Sequence, residues 1–351
     1  MSVFAILYEP ASYTVDRNHA VYDNMGIDYV YLYNDSEARC NSEQQTDALM
    51  SLSWLQRLKR IKGILQSYDV VIVNGYNHWV FIWLFLLNAF YGRTIGIDSD
   101  TPLLVPKTSL KRMVKKMYLH AIFSNRHVYG LAGGTGLHQD LFRHYGMAEE
   151  RIFLMPMMVD NNRFFAPGEK QASPFVFLYV GRIVACKNLE VMLNAFIQAF
   201  GNREDVELHI VGGGDREEYL QGKYVQNNIK FLGRRFGNEL VSAYHSSHVL
   251  ILPSSYEPWG LVVNEAMAAG LPVIVSDQVG AAHDLVEGHE TGFIFHFDDV
   301  EELARRMITL REDEALYKRF ADNAFHRMHD EWNYDFYTTC LKSFLDHVAQ
   351  K

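Results

Sequence analysis

The sequence predicts an α/β protein built from two Rossmann-like domains. Short apolar runs, typical of buried parallel strands, alternate with stretches of helical periodicity along most of the chain. A length of 351 residues exceeds what one ordinary core organises and is typical of two domains. With 48% hydrophobic and 21% charged residues, the composition is that of a globular protein.

The first domain is expected at residues 1–165. Its predicted strands are 3–8, 70–74 and 94–98, and helical spacing covers residues 49–66 and 80–91. The alternation then stops, because Pro, Gly and polar residues cluster around positions 163–174. This composition predicts an interdomain linker at 166–174.

The second domain is expected at residues 175–332 and repeats the strand–helix pattern. Its predicted strands are 175–181, 207–212, 249–253 and 272–276. A final helix is expected at 333–351, because apolar side chains there follow one another at helical spacing.

Charge and cysteine content exclude some classes of function. The net charge of −9 is uneven, since the first 165 residues are near neutral and the remainder is acidic. No broad basic face is therefore expected, which argues against a nucleic-acid partner.

Cys40, Cys186 and Cys340 form no CxxC pair and are odd in number, so we expect a reducing compartment and no metal site. The apolar start is interpreted as a strand and not a signal peptide, which predicts a cytoplasmic protein.

Residues 254–272 place two carboxylates, Glu257 and Glu265, around an expected helix start. Pro258 suits the first turn of a helix and Gly270 its end, so Glu265 should lie on the helix. The backbone amides at this start would face an anion such as a diphosphate. These amides belong to Gly260, Leu261 and Val262. Because ionised carboxylates only accept hydrogen bonds, they would bind neutral hydroxyls beside the anion, as in a nucleoside diphosphate sugar.

The same segment resembles the donor-site signature of the family-4 retaining glycosyltransferases, which have the GT-B fold. Further matches are Gly181-Arg182, Lys187-Asn188, and residues 211–214, 231–233, 273–277 and 291–293. The resemblance implies two Rossmann-like domains facing a central cleft, with the C-terminal helix crossing back onto the first domain. It also implies transfer of a hexose-type sugar with retention of configuration, without a metal or other cofactor. We favour UDP over GDP as the donor nucleotide, although no residue separates the bases.

The resemblance assigns the donor contacts residue by residue. Arg182 and Lys187 would neutralise the diphosphate as the nucleotide leaves; a salt bridge from Lys187 to Glu190 is the alternative. Glu265 would accept from ribose hydroxyls, and Glu257 from hydroxyls of the transferred sugar. The expected donor-binding set is Gly181, Arg182, Lys187, Gly213, Phe231, Leu232, Glu257, Gly260, Leu261, Val262 and Glu265. The glycines at 212–214 are weaker evidence, because such a run often makes only a tight turn.

Two carboxylates of the first domain, Asp98 and Asp100, join Arg182, Lys187 and Glu257 in the expected catalytic set. They lie at the carboxyl end of a predicted parallel strand, where α/β sheets present functional groups. One of the two would orient the acceptor hydroxyl or stabilise developing positive charge. An Asx turn at Asp100 is the alternative. We do not favour the interpretation of Asp98-Ser99-Asp100 as a metal-binding triplet.

The chain departs from the family in its first strand–helix loop. Residues 8–14 contain no glycine, whereas many members have paired glycines there beside the donor phosphates. The glycine cluster at 133–136 is interpreted as a loop and not as a ligand cradle. The departure leaves open a non-catalytic sugar-nucleotide-binding protein, and a sugar-nucleotide epimerase of the same fold is a second alternative.

A basic amphipathic segment provides the acceptor clue. Lys107, Lys111, Arg112, Lys115 and Lys116 alternate with apolar residues at helical spacing, as in a helix on an anionic membrane or a solvated helix face. The membrane interpretation predicts a peripheral protein on the inner face of the membrane and a glycan or lipid-linked glycan acceptor, as in surface polysaccharide or lipopolysaccharide synthesis. The preceding apolar run at 79–87 is too short to span a bilayer and predicts a buried helix.

Overall fold

The computed structural model describes residues 1–34, 48–165 and 173–351. These residues form two compact units, which are Met1–Met158 with Tyr334–Lys351, and Val159–Asn333. The first unit thus ends earlier along the chain than residue 165. Most of the predicted linker, residues 166–172, lies outside the described residues, as does Cys40.

Unit 1 contains a six-stranded sheet whose strands are all parallel, in the order β2-β1-β3-β4-β5-β6. The strands are β1 Val3–Leu7, β2 Asp28–Tyr31, β3 Val70–Asn74, β4 Thr94–Ser99, β5 Val128–Ala132 and β6 Ile152–Leu154. The sequence predicts β1, β3 and β4 to within a residue, because each is short, contains apolar residues and is largely buried on both faces. It does not predict β2, β5 or β6.

The helices of unit 1 fall on the two sides of this sheet. They are α1 Ser12–Arg17, α2 Asp23–Met25, α3 Trp54–Ser67, α4 Trp79–Tyr91, α5 Ser109–Phe123 and α6 Leu137–His144. The steps from β2 to β3, β4, β5 and β6 all move in one direction across the sheet. Because such crossovers are right-handed, α3, α4, α5 and α6 form one layer on the same side. Helix α3 begins later than expected, at a capping box formed by Ser53 and Gln56.

The expectation that residues 79–87 form a buried helix is wrong for one face of α4. Val80, Phe81 and Leu84 are buried in the core of unit 1, whereas Trp83 and Leu86 are exposed. A helix that is apolar all round normally has protein on every side, and periodicity does not reveal which face remains uncovered. Among the described residues, no helix combines the length and apolar character that crossing a bilayer requires.

Unit 2 repeats the architecture with a second six-stranded parallel sheet, in the order β12-β11-β10-β7-β8-β9. Its strands are β7 Phe175–Val180, β8 Val206–Val211, β9 Ile229–Gly233, β10 Val249–Leu252, β11 Val273–Ser276 and β12 Gly292–Phe295. Its helices are α7 Asn161–Phe164, α8 Leu189–Phe200, α9 Glu217–Lys223, α10 Gly237–His245, α11 Leu261–Ala268, α12 Val300–Glu312 and α13 Glu314–His326. The strands β9 and β12 are not predicted from the sequence.

The last helix, α14 (Tyr334–Ala349), returns to unit 1. Its buried side chains are Tyr337, Leu341 and Phe344. The Phe344 ring packs against Tyr129 of β5 and Phe153 of β6, with ring centroids 5.6 and 5.5 Å apart. The apolar spacing that predicts this helix is therefore the face that covers the sheet.

Candidate donor site

The residues predicted to bind a donor gather at one edge of the unit 2 sheet. Because its strands are parallel, their carboxyl ends meet at the same edge. Gly181 follows β7, Gly213 follows β8, Phe231 and Leu232 lie on β9, and the segment carrying Glu257 follows β10. The sheet thus brings together residues that are far apart in sequence.

Backbone hydrogen bonds fix the segment after β10 from two sides. The Ser255 amide donates to the Cys186 carbonyl at 2.9 Å, which ties the segment to the loop after β7. The Glu257 amide donates to the Gln278 carbonyl at 3.1 Å, and the Gly280 amide donates to the Glu257 carbonyl at 3.0 Å. Glu257 is therefore held by the loop after β11 as well.

Lys187 and Glu257 form an ion pair in which Lys187 Nζ donates to Glu257 Oε2. Both side chains are largely buried, with exposures of 11% and 13%. Ser254 Oγ donates to the same carboxylate oxygen at 3.4 Å. The alternative pairing of Lys187 with Glu190 does not occur, because Glu190 binds Arg216 and Lys223, each at 2.8 Å.

Asn188 fixes the position of Lys187 beside this pair. Its backbone is left-handed, with φ of 56°, and it begins helix α8 directly after Lys187. Its side-chain amide donates to the carbonyls of Pro253 at 3.3 Å and Phe297 at 2.7 Å. The loop after β7 is thereby anchored to the ends of neighbouring strands, which sets the direction of Lys187.

Helix α11 begins three residues after Pro258, the predicted first residue, since Gly260 is its N-cap and Leu261 its first residue. Gly260 has a φ of 96°, and a Cβ atom there would lie 2.9 Å from Leu252 Cδ2, so a side chain is disfavoured twice. The first bond of the helix runs from the Val263 amide to the Gly260 carbonyl at 2.8 Å. The amides of Gly260, Leu261 and Val262 precede this bond, which is the usual arrangement at an anion-binding helix start.

Trp259, which directly precedes the N-cap of α11, is held in place by contacts with two other residues. The residue is buried, and its indole Nε1 donates to Asn264 Oδ1 at 2.8 Å. Its ring stacks on Trp332, with ring centroids 5.9 Å apart and planes inclined by 14°. The sequence prediction assigns no role to Trp259 or Asn264, although a buried tryptophan N–H usually has a hydrogen-bond partner.

Glu265 lies on α11 and accepts a hydrogen bond from the Tyr244 hydroxyl at 2.5 Å. Burial raises the pKa of Glu265 to about 7, while the Tyr244 hydrogen bond and the charge of Arg163 act in the opposite direction. The carboxylate keeps further acceptor positions beyond the one that Tyr244 fills. It can therefore accept hydroxyl donors, and its charge depends on pH near neutrality.

Arg182 is exposed at the end of β7, and its carbonyl accepts from the buried Tyr179 hydroxyl at 2.8 Å.

The glycines after β8 allow close packing between two loops in addition to making a tight turn. A Cβ atom at Gly212 would overlap the carbonyl oxygen of Gly181, so the two loops touch through their backbones. A Cβ at Gly213 would lie 3.0 Å from Nε of Arg234, an exposed cation that the sequence prediction does not include.

In unit 1, Asp98 lies at the end of β4 and is buried against Arg17, with Oδ2 and the guanidinium Nη1 3.3 Å apart. The same guanidinium lies over the rings of Tyr22 and Tyr337, 4.9 and 5.6 Å from their centroids. Burial raises the pKa of Asp98 to about 6, and the Arg17 charge opposes that shift. Asp98 therefore belongs to a buried ion pair that joins β4, the first helical segment and α14.

Asp100 lies one residue beyond β4 and is half-buried. The turn that follows it includes a hydrogen bond from the Thr101 amide to Ser99 Oγ at 3.2 Å. The nearby glycine cluster connects β5 to α6: the Gly133 amide donates to the Ser99 carbonyl at 2.9 Å, and Gly136 is the N-cap of α6. These contacts agree with the interpretation of residues 133–136 as a loop.

The predicted membrane-contact residues lie on α5. Lys111, Arg112 and Lys116 are exposed. Lys115 is half-buried, and its ammonium donates to the Leu104 carbonyl at 2.8 Å. Within the three described ranges, no three His, Cys, Asp or Glu side chains come together as a metal ion would require.

Two parallel six-stranded sheets with helices place the protein in the α/β class, and comparison with known proteins shows what the chain resembles. Residues 160–327 match the family model of glycosyl transferases group 1. An uncharacterized glycosyltransferase of Methanocaldococcus jannaschii is 30% identical over 164 residues, covering 46% of this chain and 42% of that protein. The sulfoquinovosyl transferase of Arabidopsis thaliana is 29% identical over 234 residues, covering 62% and 45%.

A capsular polysaccharide biosynthesis glycosyltransferase of Staphylococcus aureus is 27% identical over 179 residues, covering 50% of this chain and 47% of that protein. The chain thus spans less than half the length of each of these relatives. Sucrose-phosphate synthase from Thermosynechococcus elongatus superposes with a TM-score of 0.72 at 20% identity, covering 100% of both chains. HepE of Anabaena, solved with UDP and glucose, gives 0.75 at 17% identity, covering 99% and 100%. The fold of this chain is therefore GT-B.

Proposed function

We propose that this protein is a retaining glycosyltransferase that moves a hexose-type sugar from a nucleoside diphosphate sugar to a glycan or lipid-linked glycan. The observation that carries the proposal is the Lys187–Glu257 pair, held beside the start of α11 at the carboxyl edge of the sheet. A cation, a row of helix amides and a carboxylate at one edge suit a diphosphate with a sugar hydroxyl next to it.

Each group has a distinct task in the proposed reaction. Lys187 has three N–H donors, so it can keep its bond to Glu257 and still bind a phosphate oxygen. Its charge, together with that of Arg182, would stabilise the negative charge on the leaving nucleotide. The other oxygen of Glu257 would accept from a hydroxyl of the transferred sugar. Glu265 would accept from the ribose.

The nucleotide and acceptor are proposals of the same kind. UDP is favoured over GDP, and the UDP complexes of HepE support that preference. A glycan acceptor in cell-surface polysaccharide synthesis is supported by the capsular polysaccharide relative. Because side-chain cations and helix amides would face the diphosphate in the proposed complex, we expect donor binding to need no metal ion.

Thermal shift measurements with UDP-, GDP-, ADP- and dTDP-sugars test the donor site. A selective ligand raises the melting temperature by mass action, and we expect this for UDP-sugars equally in magnesium and in EDTA. Lys187→Met should remove the shift and Lys187→Arg should restore part of it. Glu190→Gln is the matched control, since Glu190 binds cations outside the pair.

The reaction itself is tested by product analysis with acceptor glycans. Release of free UDP together with an axial or equatorial linkage matching that of the donor would support retaining transfer. An epimerised sugar nucleotide with no free UDP would favour the epimerase alternative instead. A thermal shift that is the same for wild type and Lys187→Met would overturn the assignment of the site.

A further inference from the structure

Helix α4 exposes a stripe of large apolar side chains that no described residue of unit 1 covers. The exposed residues are Trp79 at 39%, Ile82 at 38%, Trp83 at 45%, Leu86 at 58% and Phe90 at 86%. Their spacing of three and four residues places them on one face of the helix. The helix contains no charged residue. Contiguous exposed side chains of this size normally mark an interaction surface.

Helix α5 adds exposed apolar residues and cations to the same side of the unit. Its exposed apolar residues are Leu110, Met113, Val114 and Met117, at 68%, 54%, 56% and 68%. Lys111, Arg112 and Lys116 are exposed between them. Leu119 and Phe123 anchor the helix in the core, and the Tyr118 hydroxyl donates to the Tyr76 carbonyl at 2.6 Å.

The helices α3, α4 and α5 form one layer on one side of the sheet, so their outer sides form a continuous surface, here called the helical face. A direct contact joins α3 and α4. The Arg57 guanidinium of α3 lies over the Trp79 ring of α4, 4.9 Å from its centroid. Lys59, Arg60 and Lys62 of α3 are exposed and contribute more positive charge.

The helical face carries a charge opposite to that of the whole protein. None of α3, α4 and α5 contains an aspartate or glutamate, although the chain has a net charge of −9. The cations flank the apolar stripe of α4. An apolar strip bordered by cations suits an anionic lipid bilayer, because acyl chains can take up the apolar side chains and lipid phosphates can bind the cations.

We propose that the helical face binds an anionic lipid bilayer, with α4 seated among the acyl chains near the headgroups and the cations of α3 and α5 on lipid phosphates. A second copy of the chain fits poorly, because equal faces would bring like charges together. Trp, Phe, Leu and Ile without intervening charges also suit lipid better than nucleic acid. This surface goes beyond the proposed donor site, which lies in the other unit.

The inference is tested by sedimentation of the full chain with vesicles of phosphatidylcholine, with and without phosphatidylglycerol. We expect binding to anionic vesicles that weakens at high salt. Lys111→Gln with Arg112→Gln and Lys116→Gln should lower the partition coefficient about 100-fold, since each cation near a membrane contributes about fivefold. The matched control, Arg305→Gln with Lys318→Gln and Arg319→Gln, removes three exposed cations from unit 2 and should bind like wild type.

A second variant separates insertion from charge. Leu86→Ser with Phe90→Ser should lower partitioning about tenfold or more while melting temperature stays unchanged, because both side chains are exposed. Val225→Ser, at a residue 76% exposed in unit 2, is its control. Tryptophan emission should shift to the blue with anionic vesicles, since Trp54, Trp79 and Trp83 are exposed whereas Trp259 and Trp332 are buried.

Two outcomes would overturn the inference. One is equal sedimentation of wild type and both variants with anionic vesicles. The other is concentration-dependent dimerisation without lipid that Leu86→Ser and Phe90→Ser abolish, because the face would then bind a second copy. Donor-induced thermal shifts, measured without vesicles, report separately on the proposed function and should be the same in all these variants.

Discussion

Glu265 links protein stability to donor binding in a way that a single substitution can measure. Its carboxylate accepts from Tyr244 on α10 and is raised in pKa from 4.5 to about 7 by burial. In the unfolded chain the carboxyl ionises near its ordinary pKa. Between these two values the unfolded state releases the proton first, so the free protein loses stability as pH rises from 4.5 to 7.

The size of the effect follows from the shift. A difference of about 2.5 pKa units corresponds to about 3 kcal/mol of unfolding free energy above pH 7. This is an upper bound, because the side chain keeps some exposure to solvent. Glu265→Gln has no charge to bury and can still accept from Tyr244. We therefore expect the variant to be more stable than wild type at pH 8, by up to about 3 kcal/mol, and to lose this advantage near pH 4.5.

Glu265→Gln should weaken donor binding at pH 8, although it stabilises the free protein there. If ribose hydroxyls donate to the ionised carboxylate, Glu265→Gln loses a charge-assisted bond of roughly 1.5–3 kcal/mol at pH 8. Wild-type affinity should rise about tenfold from pH 6 to pH 8 as the carboxyl ionises, whereas the affinity of the variant should not change.

Urea unfolding at pH 5 and pH 8 measures the stability part, and titration calorimetry with UDP-glucose measures the binding part. The reasoning is refuted if Glu265→Gln is no more stable than wild type at pH 8. It is equally refuted for the ribose contact if the variant binds the donor as tightly as wild type at that pH.

Three further predictions concern the fold and the unit 1 carboxylates. Arg17→Met should destabilise unit 1 by about 3–5 kcal/mol in urea unfolding at pH 8, because Asp98 is then buried without its partner and must either stay charged or take up a proton; equal stability would contradict the buried pair. Gly212→Ala should destabilise by about 1–3 kcal/mol or more in the same assay, since the added methyl overlaps backbone, and an unchanged midpoint would contradict the packing. Asp100→Asn should keep the melting temperature and lower the transfer rate about 100-fold if Asp100 is the functional carboxylate, and an unchanged rate would exclude that role.

Several of the strands that the sequence predicts have continuous apolar residues, such as β3 and β10. The strands it misses are short or interrupted, and packing explains the interruptions. Gly130 lies in the middle of β5 because a Cβ atom there would approach the Phe142 ring to 2.6 Å. Gly292 begins β12 because a Cβ there would overlap the Val273 carbonyl. Such glycines weaken a strand pattern for reasons that only tertiary structure reveals.

In the candidate site, local sequence likewise predicts where residues lie along the chain but not which distant residues pair. The motif after β10 predicts that Glu265 lies on a helix and that Glu257 precedes it, and both positions are confirmed. It does not predict that Lys187 and Glu257 pair, because the two residues come from different strand ends. The pairing of Arg17 with Asp98 joins residues that are 81 positions apart, and no local pattern indicates it.

The net charge of the first half of the chain also does not reveal how charge is distributed over the surface. The near-neutral first 165 residues conceal that α3 and α5 carry cations and no acid, so the expectation that no broad basic face exists is wrong for the helical face. The separation arises from the fold, since crossovers bring these helices to one side of the sheet.

Titration calorimetry of UDP-glucose with wild type, Lys187→Met and Glu190→Gln, in EDTA at pH 8, tests the central claim most directly. The account predicts that wild type and Glu190→Gln bind with similar affinity and that Lys187→Met binds at least tenfold more weakly, by roughly 1.5 kcal/mol or more. Equal binding by all three proteins would contradict the assignment of the Lys187–Glu257 edge as the donor site.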